Sequence, residues 1–431
     1  MGAREFAEVS VYDRMCWPAG ALEQALRTGE HRLELAAFFG SAEYAWLRSL
    51  ARARVARGGR RPLPRVYLLP GIMGSQLGIR RAHGLPPDLI WLDPADIGNG
   101  RLSELRLGRS RRIEPLGGIA YSYLPLKLRL EARGFDVVLH DYDWRQDLRV
   151  LGAQLAQRLR ADRSEQIALI GHSMGGLLAR TALNELALHP AAAARVMRII
   201  SLGTPHHGSI AAVQALRAAY PVVCRLAAVD RRHDARQLSQ SVFATFASLY
   251  QLLPEHAGGV DLHDPGVWPS RGARPQSGRL AASRGWRAQM AAPDERFHCI
   301  VGTGQRTVTG LERRGGQFRY EISSAGDGTV STLRASLPGA RNYYLRCEHS
   351  ELPRDAVVAA AIEDLLGMGR TRRLPQQPIA TRGKHVWITD ADMRRSLPRR
   401  VDWQGLTPAE RRRYFAGLNN PPPLYRARQN L

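Results

Sequence analysis

Short apolar runs bounded by Gly, Pro, Asn or Asp recur along this chain, and stretches of helical periodicity separate them. Residues 66–69 (Val-Tyr-Leu-Leu), 135–140 (Phe-Asp-Val-Val-Leu-His), 167–170 (Ile-Ala-Leu-Ile), 196–202, 297–301 and 342–346 read as strands. Residues 123–133, 148–159, 177–188 and 353–366 read as helices. Runs that are apolar on both faces suit strands covered by helices on each side, so the alternation predicts an α/β fold with a mostly parallel sheet. Residues 317–322 add a hairpin strand. The rhythm fails over 209–295, where helices at 210–226 and 238–253 sit among Pro, Gly and Arg. An insertion of this kind at the carboxyl edge of the sheet is expected to cover a site as a lid.

The same pattern divides the chain into three. Residues 1–62 form an N-terminal extension, with helices over 22–39 and 42–55 broken at Gly40-Ser41 and a linker at Gly58–Pro62. Residues 63–369 form the body. Residues 370–431 are an Arg/Pro-rich extension whose one helix signal is Thr407-Pro408-Ala409-Glu410, a capping box with Pro at the first helical position, opening a helix over 411–418.

Composition narrows the function classes. The 44% hydrophobic content supplies a core and excludes global disorder. The 62 Lys and Arg against 39 Asp and Glu give a net charge of +23, nearly all of the basic side chains being Arg. Nucleic acid, anionic lipid headgroups and Arg-rich coding bias each account for such an excess. The basic residues are scattered and carry no nucleic-acid motif or basic-aromatic interleaving, so no nucleic-acid partner is expected, whereas peripheral contact with an anionic membrane is compatible with them. Cys16, Cys224, Cys299 and Cys347 lack metal-ligand spacing. No secretory signal opens the chain, and the longest apolar run, 210–229, is interrupted by Arg217, Pro221 and Arg225. A soluble, cytoplasmic protein without a metal or cofactor is the expectation.

The chemistry concentrates at Gly171-His172-Ser173-Met174-Gly175, between the strand at 167–170 and the helix at 177–188. A strand that turns directly into a helix holds the middle residue in a strained conformation, and the positions two before and two after it crowd each other until only very small residues fit. The Ser hydroxyl then stands at the sheet edge in front of free helix N–H groups. The alternative is a Ser that merely caps the helix. A Ser nucleophile needs a His base held in one tautomer by a carboxylate, and in this architecture acid and base follow in that order. Asp327, in Gly326-Asp327-Gly328, and His349, just after the strand at 342–346, satisfy order and context. An Asx-turn residue and an idle loop histidine are the competing readings. His206 and His207 precede the acid, Asp143 precedes the Ser, and Glu348 lacks the loop setting, which ranks all four below. Met174 and Ile72, the latter in Pro70-Gly71-Ile72-Met73-Gly74-Ser75, are the expected oxyanion donors.

Taken together, Pro70–Ser75, Tyr142-Asp143-Trp144-Arg145, Gly171–Gly175, Gly203-Thr204-Pro205, Gly326-Asp327-Gly328-Thr329-Val330 and His349 resemble the lecithin:cholesterol acyltransferase family, over roughly residues 64–367. The resemblance implies an α/β-hydrolase fold, nucleophile Ser173, acid Asp327 and base His349, and lipid acyl esters handled through an acyl-enzyme. Trp91 resembles a Trp-containing segment near the family's acyl site; Met73, Trp144, His172 and His206 are assigned with it to substrate binding. The early disulfide-closed loop of the family has no counterpart here, since no cysteine lies between Cys16 and Cys224. A thioesterase, a deacylase of another acylated substrate, and an inactive scaffold used for binding are the alternative functions.

Overall fold

The computed structural model describes residues 17–53, 63–81, 87–108, 112–381, 385–397, 399–403 and 405–419. The linker expected at Gly58–Pro62 and the end of the helix expected over 42–55 lie outside them. Six strands form the central sheet: β1 (Arg65–Leu69), β2 (Asp136–Leu139), β3 (Ile167–His172), β4 (Val196–Leu202), β5 (Phe297–Thr303) and β6 (Arg341–Arg346). Their order is β6-β5-β4-β3-β1-β2, and every pairing is parallel. All six therefore end on one edge, and each connecting loop on that edge can contribute to one site.

Period-two alternation decides what lies on each face. Val66, Leu68, Ala168, Ile170, Ile200 and Ile300 pack in one cluster with Leu126 and Leu130 of the helix Ala120–Ala132 and Ile362 and Leu365 of the helix Ala356–Met368. Tyr67, Leu69, Ile167, Leu169 and Ile199 turn the other way, onto Leu151 and Leu155 of Leu148–Ala161 and Leu178 and Ala182 of Met174–Leu186. β3 is buried along its whole length, as its unbroken apolar run requires. Helices thus cover both faces of the sheet.

Several elements depart from expectation for identifiable reasons. The helix expected over 22–39 is two, Ala19–Thr28 and Arg32–Phe39, because Gly29 adopts φ 89° and ends the first in a left-handed cap. The span 210–226 is likewise two helices, Ile210–Leu216 and Pro221–Val229, parted where Ala218 takes φ 55° and Pro221 restarts the chain at a first helical position. This apolar stretch, long enough by composition to cross a membrane, is buried in the body of the protein. Residues 238–253 break into Ala235–Ser241, a short 3-10 turn and Ala247–Gln251.

The C-terminal extension is built into the fold. Its strand Val386–Thr389 completes a three-stranded antiparallel sheet with the hairpin Thr307–Arg314 and Gln317–Ser323. Behind it the buried Asp390 binds both Arg217 Nε of the inserted segment 209–295 (2.9 Å) and the Tyr320 hydroxyl (2.6 Å). The Thr407–Glu410 capping box forms as read, with Thr407 accepting from Glu410 N at 3.3 Å and Glu410 accepting from Thr407 N at 2.8 Å.

Candidate active site

The elbow has the sterics its spacing demands. Ser173 has φ 54° and ψ −124°, a conformation L-residues rarely hold. A Cβ on Gly171 would stand 2.4 Å from Gly176 N, and one on Gly175 would stand 2.2 Å from the Leu69 carbonyl oxygen. Neither neighbour is a side chain that can swing away, so both positions admit glycine alone. Ser173 occupies the N-cap of Met174–Leu186, yet its hydroxyl makes no capping hydrogen bond. The reading as a helix cap therefore fails. The hydroxyl lines a cavity together with His349, Ile72, Met73 and His172.

His349 is held from two sides. Its Nδ1 lies 2.7 Å from Asp327 Oδ2, and its backbone N–H donates to the Asp327 carbonyl at 2.8 Å. Asp327 is 1% exposed, and its Oδ1 accepts from the N–H groups of Thr329 (3.0 Å) and Val330 (2.7 Å). The carboxylate is consequently fixed in its turn with one oxygen left for the imidazole. Gly203, at φ 57°, makes room for the pair: a Cβ there would sit 2.9 Å from Asp327 Oδ2 and 3.0 Å from His349 Nδ1. A carboxylate on Nδ1 requires the proton there, which leaves Nε2 as a proton acceptor. Asp327 thus makes an Asx turn and also orients a histidine.

The loop Pro70–Ser75 is immobilised by four aromatic side chains. The Tyr142 hydroxyl donates to the Pro70 carbonyl (2.5 Å), Trp91 Nε1 to that of Met73 (2.9 Å) and Trp144 Nε1 to that of Ser75 (2.9 Å), while the Tyr123 hydroxyl accepts from Gly71 N–H (2.9 Å). Met73 takes φ 64° within this turn. The N–H groups of Ile72 and Met174 donate to no other group among the described residues, so two preset donors are free at the site.

His172 ties these parts together. Its Nδ1 lies 2.9 Å from the Tyr123 hydroxyl and its Nε2 2.9 Å from the His349 carbonyl. Burial, reinforced by His349, lowers its pKa to about 3, so it stays neutral with the proton on Nε2. Tyr123 then donates to His172 while accepting from Gly71. Replacing Tyr123 with Phe strands two buried polar groups at once, and a loss of about 1–3 kcal/mol in stability is expected with a kcat drop of about tenfold. Urea denaturation and steady-state rates on one ester check both, and unchanged kcat in a folded Tyr123→Phe protein would show that the Tyr123–His172 tie does not support turnover.

The other expected substrate residues are placed differently. Met73 and Trp91 line a second cavity beside the first. Trp144 and His206 line neither. Trp144 is fully buried between Trp91 and Phe246, where it supports the loop. His206 lies under the sheet edge, with Nε2 3.1 Å from Ser201 Oγ and 3.6 Å from Cys299 Sγ. Tyr123, Tyr220 and Asn419 were not among the expected residues; no local motif marks them, since chain segments far apart bring them to the site.

Four buried histidines share a consequence. Burial lowers His140 and His298 to about 4 and His172 to about 3, and drives His206 well down. The unfolded chain protonates these groups near pH 6.5 and the native state does not, so stability is lost as pH falls from there towards about 4. Asp96, raised by burial to about 6, takes up a proton in the native state over the same window and offsets one of them. Unfolding therefore takes up protons on balance, and stability is expected to fall steadily as pH drops from about 6.5 towards 4. Denaturation curves at pH 5.5 and 4.5 measure it, and equal stabilities at the two values would contradict these assignments.

A family model for lecithin:cholesterol acyltransferase matches residues 132–279, about a third of the chain, from before β2 through the elbow into the segment 209–295. No curated protein matches. Among solved structures, the Bacillus licheniformis lipase BlEst2 in mature form is 17% identical, with 73% of this chain and 96% of that chain covered and a TM-score of 0.37. The structure of the Tle4–Tli4 complex is 15% identical, with 72% and 98% covered and a TM-score of 0.51. The fold is that of the α/β-hydrolases. Within it, the features above fall at the carboxyl ends of β1, β3, β5 and β6, where ligands of parallel sheets bind.

Proposed function

We propose that this protein is a serine carboxylic-ester hydrolase or acyltransferase acting on lipid acyl esters. The observation that carries the reading is a strained, uncapped Ser173 sharing one cavity with a histidine whose other ring nitrogen is bound by a buried carboxylate. The family model supports the acyl-ester class. In this reading Ser173 Oγ attacks the ester carbonyl carbon while His349 Nε2 takes its proton. The carbonyl oxygen becomes an oxyanion that accepts from Ile72 and Met174 N–H. Collapse breaks the bond to the leaving alkoxide, which takes the proton from His349 and departs as alcohol. Water or a second alcohol then gives its proton to His349 as it attacks the acyl carbon, and the bond to Ser173 Oγ breaks as Oγ takes that proton back from His349, releasing acid or ester. Asp327 stays ionised and steadies the imidazolium. The small residues Ala211, Ala212 and Ala215 of the lid helix leave an apolar trough beside Ser173, suited to an acyl chain.

Incubation with phosphatidylcholine vesicles, triglyceride or acyl-CoA, each with a long-chain alcohol present, tests the substrate class. Free fatty acid or a new alkyl ester from a glycerolipid is the expected product. Turnover of acyl-CoA alone would move the assignment to a thioesterase.

A further inference from the structure

The cavity beside Ser173 is lined in part by Asn419, from a segment that the family match does not reach. It measures about 70 Å³, about the share of two water molecules in the liquid, whereas pockets enclosing a drug-sized ligand hold about 300–1,000 Å³. Tyr220 of the lid and Asn419 of the C-terminal extension line it. Next to it lies a cavity of about 80 Å³ whose lining includes Trp91, Arg354, Phe415, Leu418 and again Asn419. Ile72, Met73, His172 and Asn419 border both, so Asn419 stands at the partition between them.

This segment is fastened at two points. On the lid side the Tyr220 hydroxyl donates to Asn419 Oδ1 at 2.8 Å, and Arg225 Nη1 donates to the carbonyls of Gly417 (2.5 Å) and Leu418 (2.6 Å). The Tyr414 hydroxyl returns a bond to the Arg225 carbonyl at 2.8 Å. On the far side Glu43, from the N-terminal extension, binds Arg412 of the helix Pro408–Ala416 (3.3 Å) and Arg354 of the cavity wall (2.5 Å). Arg412 also lies 5.9 Å from the Phe38 ring centroid. The two chain extensions, remote in sequence, are latched to each other across the front of the site.

We infer that the C-terminal segment ending at Asn419 is the specificity wall of the Ser173 site, setting the length of acyl chain admitted. This rests on the serine-esterase reading. With the wall latched, a short acyl group fits; a long one enters by displacing Asn419 from Tyr220 and joining the two cavities. Glu43 lines neither cavity, and its partner Arg354 lines only the second, so loosening the latch there frees the wall without altering the surfaces a short acyl group touches.

A series of p-nitrophenyl esters from acetyl to dodecanoyl tests this. Glu43→Gln is expected to leave acetyl-ester turnover unchanged and to raise dodecanoyl kcat/KM at least about fivefold through KM. Tyr220→Phe and Asn419→Ala are expected to raise the ratio of dodecanoyl to acetyl kcat/KM in the same direction. A ratio equal to the parent's in all three folded variants overturns the proposal. Binding of dodecanoate to the Ser173→Ala protein, followed by tryptophan fluorescence, reads the wall without any chemistry. Glu43→Gln in that background is expected to tighten it at least about fivefold, and unchanged affinity overturns the wall. Absence of all ester turnover in the parent alongside tightened dodecanoate binding would defeat the esterase reading and leave the wall standing.

Discussion

Ser173→Ala is expected to lower ester turnover by about 10⁶-fold while leaving the protein folded. The two halves of that expectation have separate causes. Alanine carries no oxygen to attack the carbonyl, so the covalent route closes and only binding and the oxyanion donors remain, worth about 10³–10⁴-fold over water. The hydroxyl makes no capping bond, so its removal leaves no partner stranded. Alanine at φ 54° is as strained as serine there, and a stability change within about 1 kcal/mol follows. Steady-state rates and thermal melting on the same preparation check both. A variant that keeps parental turnover would end the nucleophile assignment.

Asp327→Asn tests the acid in a way that alanine does not. The Thr329 and Val330 N–H groups hold Oδ1, so the asparagine carbonyl stays there and its NH₂ takes the place of Oδ2, 2.7 Å from His349 Nδ1. An NH₂ group donates, which forces the imidazole proton from Nδ1 to Nε2. His349 then presents an N–H to Ser173 and takes no proton from it. A loss of about 10⁴-fold in kcat is expected with the turn intact. Asp327→Ala also removes the acceptor for two buried N–H groups and is expected to lose several kcal/mol of stability besides. Equal kcat for Asp327→Asn and the parent would reduce Asp327 to an Asx-turn residue.

How much of this was legible follows from the range of the forces involved. The elbow is a local steric problem, and Gly171, Ser173 and Gly175 solve it within five residues, so the spacing alone carried it. The pairing of Asp327 with His349 is within reach of the sequence because parallel strands deliver their following loops to one edge. Trp144 and His206 show the limit. A motif names a residue near a site, but whether its side chain lines the cavity or supports the loop behind it depends on packing from Trp91, Phe246, Ser201 and Cys299. The helix expected over 210–226 runs through a break because helical periodicity does not register one left-handed residue such as Ala218. The C-terminal extension was least legible. Its Arg and Pro content reads as a tail, yet a four-residue edge strand and one buried carboxylate bind it to the body, and the capped helix Pro408–Ala416 binds it to the N-terminal extension.

The central claim is that Ser173 is made nucleophilic by His349. Reaction of the native protein with a fluorophosphonate probe, followed by peptide mass mapping, addresses it directly. One adduct per chain on the peptide containing Ser173, lost when His349 is replaced by Ala in folded protein, is the predicted result. Native protein that takes up no probe, or carries its adduct on another residue, would contradict it.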